Sequence, residues 1–222
     1  MKMQTDSRKY EGRCKFCKQD FTKRQIASHL NICLKRKKDK NIKNLRLRVV
    51  DPYMKNLWLI AEANNQAQIK DLDNLIRNVW VECCGHMSLF GNYNNKVGKG
   101  RIITNTLRPG DNLNYIYDFG SSTELIIEAL EYSHCQLSDK KKIELVARNY
   151  LPLSNCAKCG QPATQICAVC AEEESGLTCD QCAKKYHNEK NEKEEHYILP
   201  LANSPRNGVC GYKPTGPLDQ LF

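Results

Sequence analysis

The chain has 222 residues, of which 41% are hydrophobic and 27% are charged, enough for one ordinary globular domain with small additional modules. No apolar run approaches the roughly 18–20 residues that a membrane span needs, and the first residues lack the apolar stretch of a signal peptide. We therefore expect a cytoplasmic protein with no membrane contact. Thiols stay reduced in that compartment, so paired cysteines favour metal binding over disulfides.

The net charge of +9 is concentrated at the N-terminal end. Residues 1–48 hold 16 Lys and Arg against 4 Asp and Glu, a net charge of +12, so the remainder carries −3. A basic arm on a mildly acidic body indicates a polyanionic partner, such as nucleic acid, for that end only.

Residues 1–13 are polar, and we expect a disordered tail there. A first metal motif follows over residues 14–36, with the pattern Cys14-x2-Cys17-x11-His29-x3-Cys33. The CxxC turn supplies two ligands, and a His and a Cys spaced i, i+4 on one helix face supply two more. The pattern predicts a zinc finger.

The helix of this finger has a face that points away from the metal, and a basic run follows it. We predict nucleic-acid contact, mostly through phosphates, by Lys23, Arg24, Gln25, Ser28, Lys35, Arg36, Lys37 and Lys38. One finger reads only about three base pairs, so it cannot give high specificity by itself. The alternative is a structural or protein-binding knuckle with a solvated basic face.

A basic linker over residues 37–44 leads to the middle domain, residues 45–152. The patterns predict an α+β fold with a small mixed or antiparallel sheet of four to six strands and a packed helix, flanked by the small zinc-stabilised modules. Apolar spacing over residues 69–80 predicts the helix, and residues 92–100 are expected to form a loop. The predicted strands are residues 45–50, 57–61, 101–107, 113–119, 124–131 and 142–148.

Residues 153–200 carry a second run of metal ligands, and short intervals between ligand pairs favour interleaved sites. We expect one zinc ion on Cys156, Cys159, Cys179 and Cys182, and another on Cys167, Cys170, His187 and His196. The two motifs together supply twelve ligands for three zinc ions. Because protein ligands fill every position, hydrolysis at these metals is not expected.

The spacing of the second run resembles a B-box-type cross-brace over about 41 residues. Such modules usually serve as protein-interaction units, so the resemblance implies a protein partner for residues 153–200. The acidic stretches 172–174 and 189–195 do not suit phosphate binding. The Gly- and Pro-rich tail, residues 201–222, is expected to pack on the α+β domain.

Three further segments resemble a known family: Leu75–Phe90, Leu107–Leu125 with its tetrapeptide Tyr-Asp-Phe-Gly, and Asn203–Tyr212. Over roughly residues 43–150 and 200–216, the chain is similar to the plasmid pRiA4b ORF-3-like family of insertion-element passenger proteins. The resemblance implies a compact α+β domain, found on mobile elements, with no settled activity. Many members continue after the tetrapeptide with Asp-x-Trp-x-His, which residues 121–125 lack here.

His86 and Asp118 are weak candidates for an active site. We favour the interpretation that Asp118 caps a turn and that His86 is a satisfied, partly buried residue. An alternative is a fourth metal site formed by Cys83, Cys84, Cys135 and Cys210 with His86 or His134. Cysteines outside motifs more often behave as small buried hydrophobes, and we expect that here.

The sequence therefore predicts a zinc-binding, nucleic-acid-associated adaptor of a mobile-element-related family. Its basic finger would contact DNA or RNA, and its C-terminal module would contact protein. Two alternatives stay open. One is an enzyme on the α+β domain that acts on a nucleotide or nucleic acid, and the other is a purely structural protein-interaction module.

Overall fold

A computed structural model describes residues 11–138, 140–171, 176–187 and 196–213, and its central feature is one large antiparallel sheet. Its strands are β1 (Glu11–Cys14), β2 (Asp20–Thr22), β3 (Asn44–Val50), β4 (Trp58–Ala63), β5 (Ser88–Gly91), β6 (Lys96–Val97), β7 (Asn112–Tyr117), β8 (Thr123–Ser133) and β9 (Ile143–Asn149). Their spatial order is β2-β1-β9-β4-β3-β8-β7-β5-β6. The predicted α+β fold is confirmed, although the sheet exceeds the expected four to six strands.

The helices of the described residues are α1 (Lys23–Ile32), α2 (Ile69–Ile76), α3 (Ile103–Thr106) and α4 (Asp180–Tyr186). A second sheet, of order β11-β10-β12, is formed by β10 (Gln165–Cys167), β11 (Leu177–Thr178) and β12 (Ile198–Pro200). None of the helices in this described part combines the length and the apolar character that crossing a membrane requires.

The first face of the large sheet carries the main hydrophobic core. Period-two alternation along β3 places Leu45, Leu47 and Val49 on this face, and all three are buried. Helix α2 covers the same core through Ile69 and Leu72, which are spaced i, i+3. The apolar faces of β3 and α2 thus pack together in one core.

The helix predicted over residues 69–80 changes its geometry halfway. After α2, residues Arg77–Val81 are π-helical, and the N–H of Glu82 donates to the carbonyl of Arg77, five residues earlier, at 3.0 Å. Val79, Trp80 and Val81 are all buried. The segment is therefore enclosed on more than one side, which an amphipathic α-helical pattern does not predict.

The opposite face of the sheet is covered by α1, the helix of the N-terminal metal motif. Ile26 and Leu30 of α1 are fully buried in a second core that includes Trp58 of β4. Strand β1 also extends the sheet itself by pairing with β9. The finger expected as a separate module over residues 14–36 is thus continuous with the sheet domain, and residues 11–13 lie in a strand rather than in a disordered tail.

Two buried arginines fasten α1 to the sheet. Arg46 donates to the carbonyl of Ala27 at 2.9 Å, and Arg36 donates to that of Leu30 at 3.0 Å. Both arginines also donate to the fully buried carboxylate of Glu62. Arg46 also donates to the carboxylate of Glu131 at 2.5 Å, so two arginine charges face two carboxylates between the helix and the sheet.

Several predicted elements differ in the structure. The strand expected over residues 101–107 is wrong, because Ile103 is buried in the main core and begins the one-turn helix α3. Its N–H donates to the carbonyl of Ala67 at 2.8 Å. The loop expected over residues 92–100 contains β6. With four and two residues, β5 and β6 are too short for alternation to predict them.

The linker expected over residues 37–44 runs beside residues 134–136. The N–H of Gln136 donates to the carbonyl of Lys37 at 2.8 Å, and the N–H of Asp39 donates to that of His134 at 2.9 Å. The segment is therefore held against the end of β8, and its last residue, Asn44, already belongs to β3.

The described part of the tail, residues 201–213, lies on the sheet domain. The hydroxyl of Ser204 donates to the carbonyl of Trp80 at 2.6 Å, and the side-chain amide of Asn203 donates to the carbonyl of Asn149 at 2.7 Å. The expectations for residues 1–10, the acidic stretches 172–174 and 189–195, and the tail beyond residue 213 lie outside the described residues.

Candidate metal centres

The four predicted N-terminal ligands converge on one point. Cys14 ends β1, Cys17 lies in the turn to β2, His29 is on α1, and Cys33 follows that helix. Their ligand atoms lie within 4.8 Å of one another; Cys17 Sγ is 3.2 Å from His29 Nε2, and Cys14 Sγ is 4.0 Å from Cys33 Sγ. The Phe21 ring stacks on His29 with centroids 3.9 Å apart, which holds the imidazole toward the thiols.

Burial controls the protonation of this cluster. It raises the pKa of the Cys14 thiol to about 12, so a metal ion that binds the thiolate must displace a proton there. Burial, together with the charge of Arg36, lowers the pKa of His29. The imidazole is therefore neutral near pH 7, and neutral imidazole is the form that binds a metal.

The C-terminal ligands form two interleaved clusters. One contains Cys156, Cys159, Cys179 and Cys182, and the other contains Cys167, Cys170, His187 and His196. The N–H of Ala157 donates to the carbonyl of Leu177 at 2.9 Å, so the turn that carries the first ligand pair lies directly against β11. Because β11 leads into the third pair, the first and third pairs meet, and the second pair meets the two histidines.

The ligand distances suit a four-coordinate ion. With bonds of about 2.3 Å to sulfur and about 2.0 Å to nitrogen, a tetrahedron sets the ligand atoms roughly 3.3–3.8 Å apart. Cys159 Sγ and Cys179 Sγ are 3.7 Å apart. In the other cluster, Cys170 Sγ is 3.7 Å from His187 Nδ1, which is 3.3 Å from His196 Nδ1. The clusters could therefore hold metal ions of this size.

The thiols of the all-cysteine cluster differ in acidity. Burial raises the pKa of Cys182 to about 12. Burial also opposes ionisation of Cys156, but backbone hydrogen bonds from Cys179 and Lys158 outweigh it and lower the pKa of Cys156 to about 6. A metal ion can therefore bind Cys156 near pH 7 without displacing a proton from it.

A fourth cluster joins Cys83, Cys84 and His86 to Cys210 of the tail, with all ligand atoms within 4.8 Å of one another. The expectation of small buried hydrophobes is wrong for Cys84 and Cys210, because both are exposed. Cys135, by contrast, is buried and stands apart from the cluster. The Cys-Cys-x-His run is a partial signal in the sequence, but Cys210 follows His86 by 124 residues, and no spacing rule connects them.

The two weak catalytic candidates are neighbours, with His86 Nε2 3.5 Å from Asp118 Oδ2. Asp118 has a φ of 63°, and its Oδ1 accepts the N–H of Gly120 at 3.0 Å, which is a turn-capping role. Its Oδ2 accepts from the fully buried Arg206 at 2.5 Å. Burial alone would raise the pKa of Asp118, but the bond from Arg206 lowers it. The carboxylate is therefore committed to a buried ion pair, which favours a structural role.

The predicted nucleic-acid residues divide into exposed and engaged groups. The exposed residues are Arg24, Gln25, Ser28, Lys35, Lys37 and Lys38. Lys23 is half-buried, and its Nζ donates to the carbonyl of Lys55 at 3.3 Å. The prediction for Arg36 is wrong: its side chain is 0% exposed and lies 2.5 Å from Glu62, so it cannot reach a phosphate.

A polar cleft of about 690 Å³ lies at the end of this basic segment. The lining residues that the structure describes include three lysines and no carboxylate. Because residues 37–39 are hydrogen-bonded to residues 134–136, which lead into the cleft wall, the exposed lysines of the segment continue into the cleft. We call this surface the basic strip; it consists of Lys35, Lys37, Lys38, Lys43, Lys140 and Lys141.

No protein-family model and no curated protein matches the chain. A crystal structure of a protein of unknown function, MM3350 from Methanosarcina mazei Go1, is similar at 15% sequence identity with a TM-score of 0.43, over 70% of this chain and 93% of that chain. A likeness at this level carries no argument about function. Membership of the pRiA4b ORF-3-like family stays a prediction.

Proposed function

We propose that this protein is a zinc-binding, nucleic-acid-associated adaptor. In this proposal, zinc ions in the three predicted sites stabilise the fold, and the basic strip binds the phosphates of DNA or RNA. The observation that carries the nucleic-acid part is the continuity of the basic strip from the exposed lysines after α1 into the polar cleft.

Zinc is the ion that the donor atoms favour. The N-terminal site offers three cysteines and one histidine, and the C-terminal sites offer four cysteines in one case and two cysteines with two histidines in the other. Thiolate and imidazole donors of this kind are typical of structural zinc, whereas Mg²⁺ and Ca²⁺ require oxygen ligands. Four protein ligands at each site leave no position for an activated water, so we assign these ions a structural role.

The chemistry of the basic strip favours a polyanion over a single phosphate. Six lysines are distributed along an extended surface, and the cleft is open and lined by asparagine as well as lysine. Lysine neutralises phosphates as a point charge, and repeated neutralisation along a chain releases counterions. Binding is therefore expected to depend steeply on salt and only weakly on sequence.

The test is the salt dependence of binding, measured on the full chain purified without nuclease. With about six phosphate contacts, a plot of the logarithm of the binding constant against the logarithm of the salt concentration should have a slope of roughly −5 for duplex DNA. Replacing Lys37, Lys38 and Lys43 with glutamine should reduce the slope by about one unit per lysine. The matched control changes Lys184 and Lys185 on α4, away from the strip. A flat salt response, or an equal loss in the control, contradicts the proposal.

The adaptor part of the proposal rests on a separate observation. A cleft of about 630 Å³, lined mainly by apolar residues, opens between the C-terminal module and the sheet domain, and Leu153 at its edge is 66% exposed. We assign this cleft to a hydrophobic peptide segment of a partner protein. A photo-crosslinker at Leu151 should capture that partner, and Leu153→Asp should abolish capture without changing the metal content. Capture that survives the substitution contradicts this assignment.

A further inference from the structure

We propose that Cys83, Cys84, His86 and Cys210 bind a fourth zinc ion, which fastens the tail of the chain to the sheet domain. The proposal is independent of the basic strip and of any nucleic-acid role. It concerns residues from two distant parts of the chain, a loop that follows the π-helical segment and a turn in the tail.

The ligand distances are those of a site that needs little rearrangement. Cys84 Sγ lies 3.7 Å from Cys83 Sγ and 3.6 Å from Cys210 Sγ, close to the roughly 3.8 Å that a zinc tetrahedron requires between sulfurs. His86 Nε2 is 2.9 Å from Cys84 Sγ and 3.2 Å from Cys210 Sγ. These distances are somewhat short, as is the 3.2 Å distance between thiol and imidazole in the N-terminal cluster, so a small outward movement of the ring completes the tetrahedron.

The donor set is that of the N-terminal cluster, three thiols and one imidazole. With this site, twelve of the thirteen cysteines and four of the five histidines stand in groups of four ligands among the described residues. The two that remain have other surroundings: Cys135 is buried, and His134 places Nδ1 2.6 Å from the carbonyl of Ile42. Exposed cysteines that were only packing residues would not assemble with a histidine in this way.

The loop that carries three of the ligands is held in place by bonds that do not use the ligand atoms. The N–H of Gly85 donates to the carboxylate of Glu82 at 2.6 Å, and the same carboxylate accepts the hydroxyl of Tyr117 at 3.0 Å. Arg77 donates to the carbonyl of His86 at 2.6 Å. Supporting bonds of this kind orient the ligands of metal sites before the ion binds.

The fourth ligand is presented by an unusual backbone conformation. Cys210 has a φ of 50° and Gly211 a φ of 64°, so two successive residues lie in the left-handed region. That conformation is uncommon for a residue with a side chain, and such residues cluster at functional sites. In this tail it brings Cys210 Sγ to within 3.6 Å of Cys84 Sγ.

A buried ion pair between the tail and the sheet domain lies beside the proposed site. Three thiolates, a neutral imidazole and Zn²⁺ carry a net charge of −1. The guanidinium of Arg206 lies beside Cys83, is fully buried and pairs with Asp118, whose Oδ2 is 3.5 Å from His86 Nε2. Because Arg206 belongs to the tail, its positive charge and the metal ion act in the same direction, holding residues 201–213 against the sheet domain. The ion would thereby also fix the chain that leaves β12 of the C-terminal module.

The test is the zinc content of the full chain purified under reducing conditions. Comparison with the variant Cys84→Ser/Cys210→Ser should show a loss of one ion per chain, whatever the occupancy of the other three clusters. Cys135→Ser, the matched control, should lose none. His86→Cys should also lose none, because it replaces one zinc ligand with another. An unchanged zinc content in Cys84→Ser/Cys210→Ser, or a disulfide between these two residues in the purified protein, overturns the proposal.

A second measurement avoids any folding defect of the variants. Alkylation of the unaltered protein, followed residue by residue by mass spectrometry, should modify Cys84 and Cys210 slowly at first. Both should become reactive together when a mild chelator is added, and before the buried cysteines of the other clusters, because their site is the more exposed. Rapid alkylation of both residues in the zinc-loaded protein contradicts the fourth site.

Discussion

The N-terminal and C-terminal metal clusters use similar ligands, but the hydrophobic cores that surround them differ greatly in size. In the first, α1 buries Ile26 and Leu30 against the large sheet, and Arg36 ties the segment after α1 to Glu62. In the second, three short strands and the seven-residue α4 enclose few apolar residues, such as Leu199 and Ala183. If the proposed zinc ions are bound, they are one stabilising element among several in the first region and the dominant one in the second.

The largest effect that separates the two regions should be the response to chelation. Metal binding in small zinc modules contributes on the order of 10 kcal/mol per site, more than so small an apolar core supplies. Removing the ions should therefore unfold the C-terminal module, while β3 and β4 stay folded. Amide hydrogen exchange measures this directly: the N–H of Ala183 should lose protection, and that of Ile60 should keep it.

Single ligand substitutions give the control for this experiment. Cys33→Ser and Cys182→Ser each remove one buried thiol ligand, one from each region. Cys182→Ser should abolish protection in β10 and α4, whereas Cys33→Ser should loosen only the residues around β2 and the end of α1. If Cys33→Ser instead unfolds β3 and β4, the N-terminal region depends on its ion as much as the C-terminal module does.

The sequence predicts best what depends on local spacing. The ligand sets of the N-terminal and C-terminal clusters follow from CxxC turns and from intervals of at most eleven residues between successive ligands, and the structure brings those residues together. The strand predicted over residues 45–50 and the helix that begins at Ile69 follow from apolar periodicity. In each case the residues that decide the prediction are close neighbours in the chain.

The features that escape prediction depend on contacts between distant residues. Arg36 stands in a run of basic residues, and only its contact with Glu62, 26 residues later, distinguishes it from the exposed lysines beside it. The pairing of β1 with β9 joins residues near the start of the chain to residues 147–149. The fourth cluster needs Cys210, which is 126 residues from Cys84. Neither charge nor periodicity carries information about such contacts.

Arg36 stabilises the contact between the N-terminal region and the sheet, and its substitution measures that contribution. Arg36→Met removes two charged hydrogen bonds to Glu62 but leaves Arg46 as its buried partner, so we expect a loss of about 2–3 kcal/mol in the free energy of unfolding. Denaturant unfolding of the sheet domain measures the loss. The control is Arg13→Met, whose partner Asp20 is partly exposed, and its cost should stay below about 1 kcal/mol.

Lys37, the residue after Arg36, allows the effects on folding stability and on nucleic-acid binding to be measured separately. Lys37→Met should leave the unfolding free energy nearly unchanged, because its side chain is exposed, and should weaken nucleic-acid binding if the proposed function is correct. Arg36→Met should lower the free energy of unfolding and leave nucleic-acid binding nearly unchanged. Equal stability losses in the two variants would mean that the contact between Arg36 and Glu62 does not hold α1 on the sheet.

Lowering the pH should also distinguish the two regions, by a smaller effect. In the sheet domain, the buried carboxylate of Asp73 determines whether acid stabilises or destabilises the fold. Burial alone would raise the pKa of Asp73, but hydrogen bonds from Lys99 and Ser88 outweigh it and lower the pKa. A carboxyl group with a depressed folded pKa stabilises the protein above its unfolded pKa of about 3.9. That contribution is lost as the pH falls through the folded pKa.

The proposed zinc sites should respond at higher pH, because thiolates and imidazoles release a metal ion as they gain protons. An acid titration followed by hydrogen exchange should therefore show the C-terminal module opening first and the sheet domain only below about pH 4. Asp73→Asn should cost about 2 kcal/mol at pH 7, since the carboxylate no longer accepts the charged hydrogen bonds from Lys99 and Arg77. The loss of structure at the lower pH should then be less steep. If that loss is as steep in Asp73→Asn as in the unaltered protein, other carboxylates, such as the buried Glu144, set the acid limit of the sheet.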